Sequence, residues 1–350
     1  MKTIIVTGCG GLIGRETTEF FLKQGFRVIG IDNNMRKYFF GEDGSIQNNI
    51  DTLIANPNGE FVLYQVDIRN YLDLSQIFSK YSSDIESIIH TAAQPSHDWA
   101  AKEVFTDFSI NATATINLLD LTKQYCPKAS FIFTSTNKVY GDNPNFLDLE
   151  ELDTRYELPL SSPYYNGLSE TFSIDHTKHS LFGCSKLTAD VYVQEYGKYF
   201  GLNTVVFRGG CLTGSKHKGA ELHGFLNYLV KCNLEQRTYN LFGYKGKQVR
   251  DNIHSSDLVN AFWHVYNNPK SAEVYNIGGG RNSNCSILEA VEKIENITNI
   301  KMNLNYVDKN RSGDHIWWIS DISKFKKDYP TWDLTYSIDG IINEIITNIN

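Results

Sequence analysis

Three glycines near the N-terminus stand where a phosphate could be held. The β-branched run Thr3–Thr7 stops at Gly8-Cys9-Gly10-Gly11-Leu12-Ile13-Gly14, and a segment of helical length and periodicity follows. Gly8, Gly11 and Gly14 have G-x-x-G-x-x-G spacing. Glycine at such positions permits a tight turn, lets the backbone approach a pyrophosphate, and allows a helix to pack closely on a strand. The helix N-terminus adds free N–H groups and the positive end of a dipole. Asp32 closes the second β-branched run, 18 residues beyond Gly14. Its carboxylate is placed to accept hydrogen bonds from an adenosine ribose and to repel a 2′-phosphate. The expected cofactor is therefore NAD rather than NADP, with Asn33 and Arg36 beside the ribose, although Arg36 tempers the preference. Asp67 and Ile68, which end the third run, stand where a contact to adenine is expected.

A second constellation follows the run Ser130–Thr134. It reads Ser135-Thr136-Asn137-Lys138-Val139-Tyr140-Gly141-Asp142, and downstream Ser180-Leu181-Phe182-Gly183-Cys184-Ser185-Lys186 opens a long helical segment. These blocks join His90-Thr91-Ala92-Ala93-Gln94, Asn111, Gly201-Leu202-Asn203-Thr204-Val205-Val206-Phe207-Arg208, Gly246-Lys247-Gln248-Val249-Arg250-Asp251 and Asn276-Ile277-Gly278-Gly279. With them the chain resembles the extended short-chain dehydrogenase/reductase family of nucleotide-sugar enzymes, from Thr3 to about Trp332. The resemblance implies an epimerase that oxidises a sugar carbon transiently and reduces it from the other face. A nucleotide-diphosphate sugar would be the substrate, and Ala92, Ala93, Gln94, Asn111 and Lys186 would help hold NAD. Thr136, with Asn137 beside it, would bond the reacting oxygen.

In that family a Tyr-x-x-x-Lys pair supplies an acid/base and its partner. A lysine one helical turn from a tyrosine favours the phenolate and brings a pKa near 10 towards neutrality. Here the tyrosine position is Phe182, while Lys186 keeps the i,i+4 spacing. A phenyl ring transfers no proton. Three readings follow: another group takes the proton, the chain is a Tyr-to-Phe variant, or it binds NAD and sugar without the usual chemistry. For the first, Tyr164, Tyr165, Asp175, His176 and His179 lie upstream, and His179 is preferred because it precedes Phe182 by three residues. Dehydratases of the family resemble one another in carrying Asp-Glu after this Thr. Asn137-Lys138 lacks those carboxylates, which disfavours water elimination. A 4-epimerase or a reductase remains an alternative on the same frame.

Arg208, Arg250 and Arg311 are separated in sequence but fall in or beside irregular segments of the second half. A guanidinium fork suits a diphosphate, and the resemblance places Arg250 and Arg311, with Asp314 close by, at the substrate.

Strand-like runs alternate with helical ones through the first half: Thr3–Thr7, Arg27–Asp32, Glu60–Val66, Ser87–Thr91, Ser130–Thr134 and Thr204–Phe207, with helical patterns at Leu12–Gln24, Leu72–Lys80, Ala112–Tyr125 and Gly183–Phe200. That cadence predicts an α/β fold with a Rossmann-type doubly wound parallel sheet. Beyond residue 206 the cadence loosens. We expect residues 1–206 to form the NAD-binding domain and 207–350 mainly a smaller C-terminal substrate-binding lobe, some of it returning to the first. The 350 residues are 41% hydrophobic and 21% charged, enough for a sizeable core, and the net charge of −7 argues against nucleic acid or an anionic membrane as main partner. No apolar run has the roughly 18–20 residues of a membrane span. The six cysteines lie far apart without a C-x-x-C pair, so no metal is expected, and a cytoplasmic location is. Apolar residues beyond one stripe on Ala112–Tyr125 and Gly183–Phe200 suggest a homodimer or a homotetramer.

Overall fold

A computed structural model describes residues 1–56, 58–216, 224–311 and 313–348. Residues 217–223 and Ser312, in the half where the cadence loosens, lie outside the described residues. Seven strands form one parallel sheet: β1 (Thr3–Thr7), β2 (Arg27–Ile31), β3 (Glu60–Tyr64), β4 (Ile85–His90), β5 (Ser130–Thr136), β6 (Asn203–Gly209) and β7 (Glu273–Ile277). Their spatial order is β7-β6-β5-β4-β1-β2-β3. The order reverses between β1 and β4, so a crevice opens beyond their carboxyl ends.

The strands read as unbroken apolar runs because both faces of the sheet are covered; all five residues of β1 are buried. On one face α1 (Leu12–Lys23) packs with the helix Ser255–Asn267 and with Phe325 and Trp332, through Phe21, Val259 and Phe262. On the other face α2 (Ala114–Tyr125) and α3 (Ser180–Phe200) present Leu118, Leu121, Ala189 and Val193. Each such side chain contributes about 1.5–3 kcal/mol when removed from water.

Three departures from the sequence reading matter for the site. First, β5 and β6 run two residues further than expected, which carries Thr136 and Gly209 into the sheet. Second, α3 starts at Ser180 rather than 183, and Ser180 adopts φ +60. Third, the chain makes a π-helical turn over Ser109–Thr113 before α2, which places Asn111 in an irregular stretch of helix. The seventh strand, β7, escaped notice because its burial depends on pairing with β6 rather than on a flanking helical period.

A separate core, including Leu226, Leu229, Val230, Leu241, Ala290, Ile341 and Ile345, holds the second lobe together. The strands Thr238–Phe242 and Asn303–Val307, in the half where the cadence loosens, pair in parallel there. The helix Ser255–Asn267 and β7, although late in sequence, belong to the sheet layer.

Candidate active site

A cavity of about 490 Å³ lies at the carboxyl ends of the strands and runs on into the second lobe. Its first compartment is built by the turn after β1. Gly8 has φ +69, and a Cβ there would stand 2.8 Å from Ala92 Cα; a Cβ on Gly14 would stand 2.0 Å from the Gly8 carbonyl oxygen. The strand, the turn and α1 close on one another only because these positions carry no side chain. Gly11 precedes α1 with no side-chain cap, so the helix N-terminus offers its N–H groups to the cavity.

Asp32 follows β2 and lines the same compartment, with Asn33, Arg36, Asp67 and Ile68. Its carboxylate accepts from Gly10 N at 3.0 Å and Asn34 N at 2.9 Å. Burial pushes its pKa up, against those N–H groups and the Arg36 charge. Asn33 Nδ2 donates to Asp67 at 3.1 Å. A glycine cradle, an uncapped helix end and a buried carboxylate are the donor and acceptor set that an adenine dinucleotide requires, and these residues fit NAD. Asp32→Ala should weaken NAD binding and relax the preference against NADP, as measured by titrating both. Tighter NADP binding by the unaltered chain would refute the assignment to the ribose.

Two residues expected at the cofactor are not in the cavity wall. Ala92 and Ala93 line it, whereas Gln94 and Asn111 do not. Asn111 Oδ1 accepts from Gln94 N at 2.9 Å, and its Nδ2 lies within 3.0–3.1 Å of Gln94 O, Asp107 and Ser185 Oγ. These bonds use both N–H donors of the amide. The pair fixes the loop after β4 against α2 and α3 instead of meeting a ligand.

Thr136, Asn137, Lys138, Phe182 and Lys186 come together at the waist of the cavity. Thr136 ends β5, and its Oγ1 accepts from Lys138 N at 3.3 Å. Lys186 reaches from α3 to donate to Thr134 O at 2.8 Å, and burial lowers its pKa to about 7. Burial and the nearby Arg250 charge lower Lys138 to about 8. Phe182, buried, lies where the resemblance expects a phenol.

His179 is a correction. It caps α3 outside the cavity wall, and its Nε2 is enclosed without a hydrogen-bond partner. Ser180, at φ +60, breaks the helical path between His179 and Phe182, so the three-residue spacing does not bring His179 to the waist. Tyr164, Tyr165, Asp175 and His176 are also outside the wall. The imidazole at the waist is His97, the first residue of the short helix His97–Lys102 that follows β4. Nothing in its local pattern marks it; only its place after a strand at the reversal of strand order does.

Arg250, Arg311 and Asp314 line the far compartment with Tyr239, Leu241 and Gln248. Arg250 pairs with Asp314. Arg208 is the other correction. It is buried and bound through Nε and Nη2 to Asp190 at 3.0 and 2.9 Å, and through Nη1 to Tyr140 Oη at 3.0 Å. Its position in β6, one residue before the strand end, directs it into the interior between β5 and α3.

Among the described residues no cluster of His, Cys, Asp or Glu could hold a metal ion, and no helix is long and apolar enough to cross a membrane.

Residues 4–278 match the NAD dependent epimerase/dehydratase family. The chain is 33% identical to CDP-paratose 2-epimerase of Salmonella typhi over 93% of its own length and 92% of that protein. It is 29% identical to UDP-glucuronate 4-epimerase of Thermodesulfobacterium geofontis, covering 97% and 93%. A Tyr-to-Phe mutant of UDP-glucuronic acid 4-epimerase from Bacillus cereus, solved with UDP-4-deoxy-4-fluoro-glucuronic acid and NAD, superposes with a TM-score of 0.79 at 26% identity over 99% and 98%. Cradle, sheet order and sequence agree: the chain belongs to the NAD-dependent epimerase/dehydratase family.

Proposed function

We propose that the chain is a nucleotide-sugar epimerase acting at C2, as the name of the Salmonella typhi relative describes, on a CDP-linked deoxyhexose. The observation that carries this reading is the composition of the waist between the dinucleotide cradle and the cationic compartment. It offers a hydroxyl at Thr136 and cations at Lys138 and Lys186, and it lacks the carboxylate pair that elimination of water needs. A carbon that is not next to a carbonyl has no easy route to lose a proton. Bound NAD supplies the alternative, accepting hydride from that carbon and returning it. The chain's own residues then position and shield. Thr136 Oγ1 holds the sugar hydroxyl, Lys186 Nζ holds the nicotinamide ribose, and Arg250 and Arg311 meet the diphosphate.

The test is incubation in D₂O with CDP-, UDP- and dTDP-linked sugars, followed by NMR of the products. Epimerisation at C2 without solvent deuterium at that carbon is expected, because the hydrogen returns as hydride. Deuterium uptake, or inversion at another carbon, would overturn it. Inversion at C4 would establish a second reading, which the 29% identity to UDP-glucuronate 4-epimerase favours.

We also propose a homodimer or a dimer of such dimers. Val191, Tyr192, Tyr199 and Phe200 of α3 and the nearby Phe105 and Phe108 are exposed, and a second copy of the same helices would cover them. Light scattering at micromolar concentration should give a mass of at least two chains.

A further inference from the structure

The waist of the cavity lacks a phenol at position 182, yet the proposed reaction must take a proton from a sugar hydroxyl and put it back. Candidates in the wall reduce quickly. Cys211 is pushed up to about 11 by burial. Asp314 is held by Arg250. Lys186 donates to a main-chain carbonyl. His97 and Lys138 remain.

His97 is the one that stands against the altered position. Its ring meets the Phe182 ring edge to face, with centroids 4.9 Å apart and planes at 63°. Its Nδ1 lies 2.9 Å from Ser180 Oγ, the hydroxyl of the first residue of α3. Ser180 adopts φ +60, and its oxygen also accepts from Gly183 N at 3.2 Å. The hydroxyl is therefore fixed on two sides by the turn that opens the helix carrying Phe182 and Lys186. Gly313, from the loop that supplies Arg311 and Asp314, packs over the Nδ1–Cε1 edge of the ring. A Cβ there would stand 2.6 Å from His97 Cε1 and 2.8 Å from Nδ1, but 3.6 Å from Nε2, so Nε2 is the nitrogen left open. In the tautomer in which Nδ1–H donates to Ser180 Oγ, Nε2 carries the lone pair, and it has no hydrogen-bond partner among the described residues.

We propose that His97 is the catalytic acid/base of this chain, in place of the phenol that Phe182 lacks. The inference rests on the redox epimerase reading above. As the carbinol carbon is oxidised, its O–H bond breaks and the proton passes to Nε2, while hydride leaves that carbon for NAD and a carbonyl forms. On the return the carbonyl carbon receives hydride, and its oxygen recovers the proton from Nε2. The imidazole is unchanged over the cycle. Ser180 is a positioning residue, and Phe182 packs against the ring that replaces the phenol.

The charges facing His97 are Lys138 from the turn after β5, and Arg311 and Asp314 from the loop over the ring; the buried His315 is also close. Burial, then Lys138 and Arg311, hold its pKa down to about 3, and Asp314 opposes them. A bound diphosphate offsets the two cations, so binding should raise the pKa of His97 and prepare it to take a proton.

The experiment compares the NAD-loaded wild-type chain with His97→Ala, Phe182→Tyr, His179→Ala and the double variant His97→Ala/Phe182→Tyr. Loss of the base should lower kcat roughly 10²–10⁴-fold in His97→Ala, with little change in KM, and His179→Ala should keep full rate. The double variant should recover much of the lost rate, because a phenol at 182 would stand where the imidazole packs. Independently of turnover, NMR of the ¹³C-labelled imidazole should show its pKa rising when CDP is added. A His97→Ala rate within threefold of wild type, or no recovery in the double variant, would overturn the proposal. So would a CDP-insensitive resonance, or a gain of rate in Phe182→Tyr alone. A wild-type chain inert towards every nucleotide sugar offered would overturn the epimerase reading itself, and the role of His97 with it.

Discussion

Replacing Lys186 by methionine is expected to abolish turnover and, at the same time, to stabilise the NAD-free chain. Lys186 is 3% exposed, and burial lowers its pKa from 10.5 to about 7. A shift of that size corresponds to several kcal/mol, since one unit is about 1.4 kcal/mol. The sign follows from proton binding. Between pH 7 and 10.5 the unfolded chain keeps the proton while the folded chain has released it, so stability rises with pH through that window. Below about 7 both states hold the proton, and the folded chain bears the whole cost of a buried ammonium.

Methionine has a similar reach and no charge. It forfeits the 2.8 Å bond to Thr134 O, worth about 1 kcal/mol, which is smaller than the cost removed. Thermal melts from pH 6 to 9 should show the variant more stable at pH 6 and the gap closing as pH rises. Lys138, lowered to about 8, adds a later rise common to both proteins. Turnover should fall by at least about 100-fold, because the nicotinamide ribose loses the group that holds it in place. Parallel pH curves, or a variant that melts below wild type at pH 6, would show that Lys186 is not held in the folded state at this cost.

The cradle was legible because every part of it is local. Gly8, Gly11 and Gly14 sit within one turn, and Asp32 ends the next strand, so spacing along the chain becomes position in space through one β–α–β unit. Thr136 and Lys186 were legible by resemblance, and β5 and α3 bring them to one wall. What escaped was set by distant segments. His97 becomes a waist residue because Ser180, 83 positions later, holds its Nδ1, and because Gly313 leaves room over its edge. His179 looked suitable on helical spacing, but Ser180, at φ +60, breaks the helical path just after it. Gln94 and Asn111 fall in the right loop and helix, yet they satisfy each other. An amide with complete internal partners has no donor left for a cofactor.

Arg208 shows the same limit at greater energetic cost, and it yields the second large effect. An arginine at a strand end near a cleft was expected to bind a diphosphate. In the fold its guanidinium is enclosed, forked onto Asp190, which is itself fully buried and accepts from Ser135 Oγ at 2.6 Å and Gln194 Nε2 at 2.7 Å. Asp190 and Tyr140 favour the charged guanidinium against desolvation, so its pKa is raised. Tyr140 donates onward to Asn276 at 2.8 Å and stacks on Trp318 at 5.3 Å. The network thus ties β5, β6, α3 and β7 together beneath the active-site floor.

Removing one member leaves an opposite charge without its partner in the interior, which typically costs about 3–5 kcal/mol. Asp190→Leu and Arg208→Met should each destabilise by that order in urea titration. The double variant Asp190→Leu/Arg208→Met should lose much less than the sum, because no unpaired charge remains. Tyr140→Phe should fall between, losing one acceptor for Arg208 and one donor to Asn276. Kinetics separate this role from ligand binding. At temperatures where Arg208→Met is still folded, its KM for the nucleotide sugar should match wild type, whereas Arg250→Met, where still folded, should raise KM. A raised KM in folded Arg208→Met, with additive losses in the double variant, would return Arg208 to the substrate.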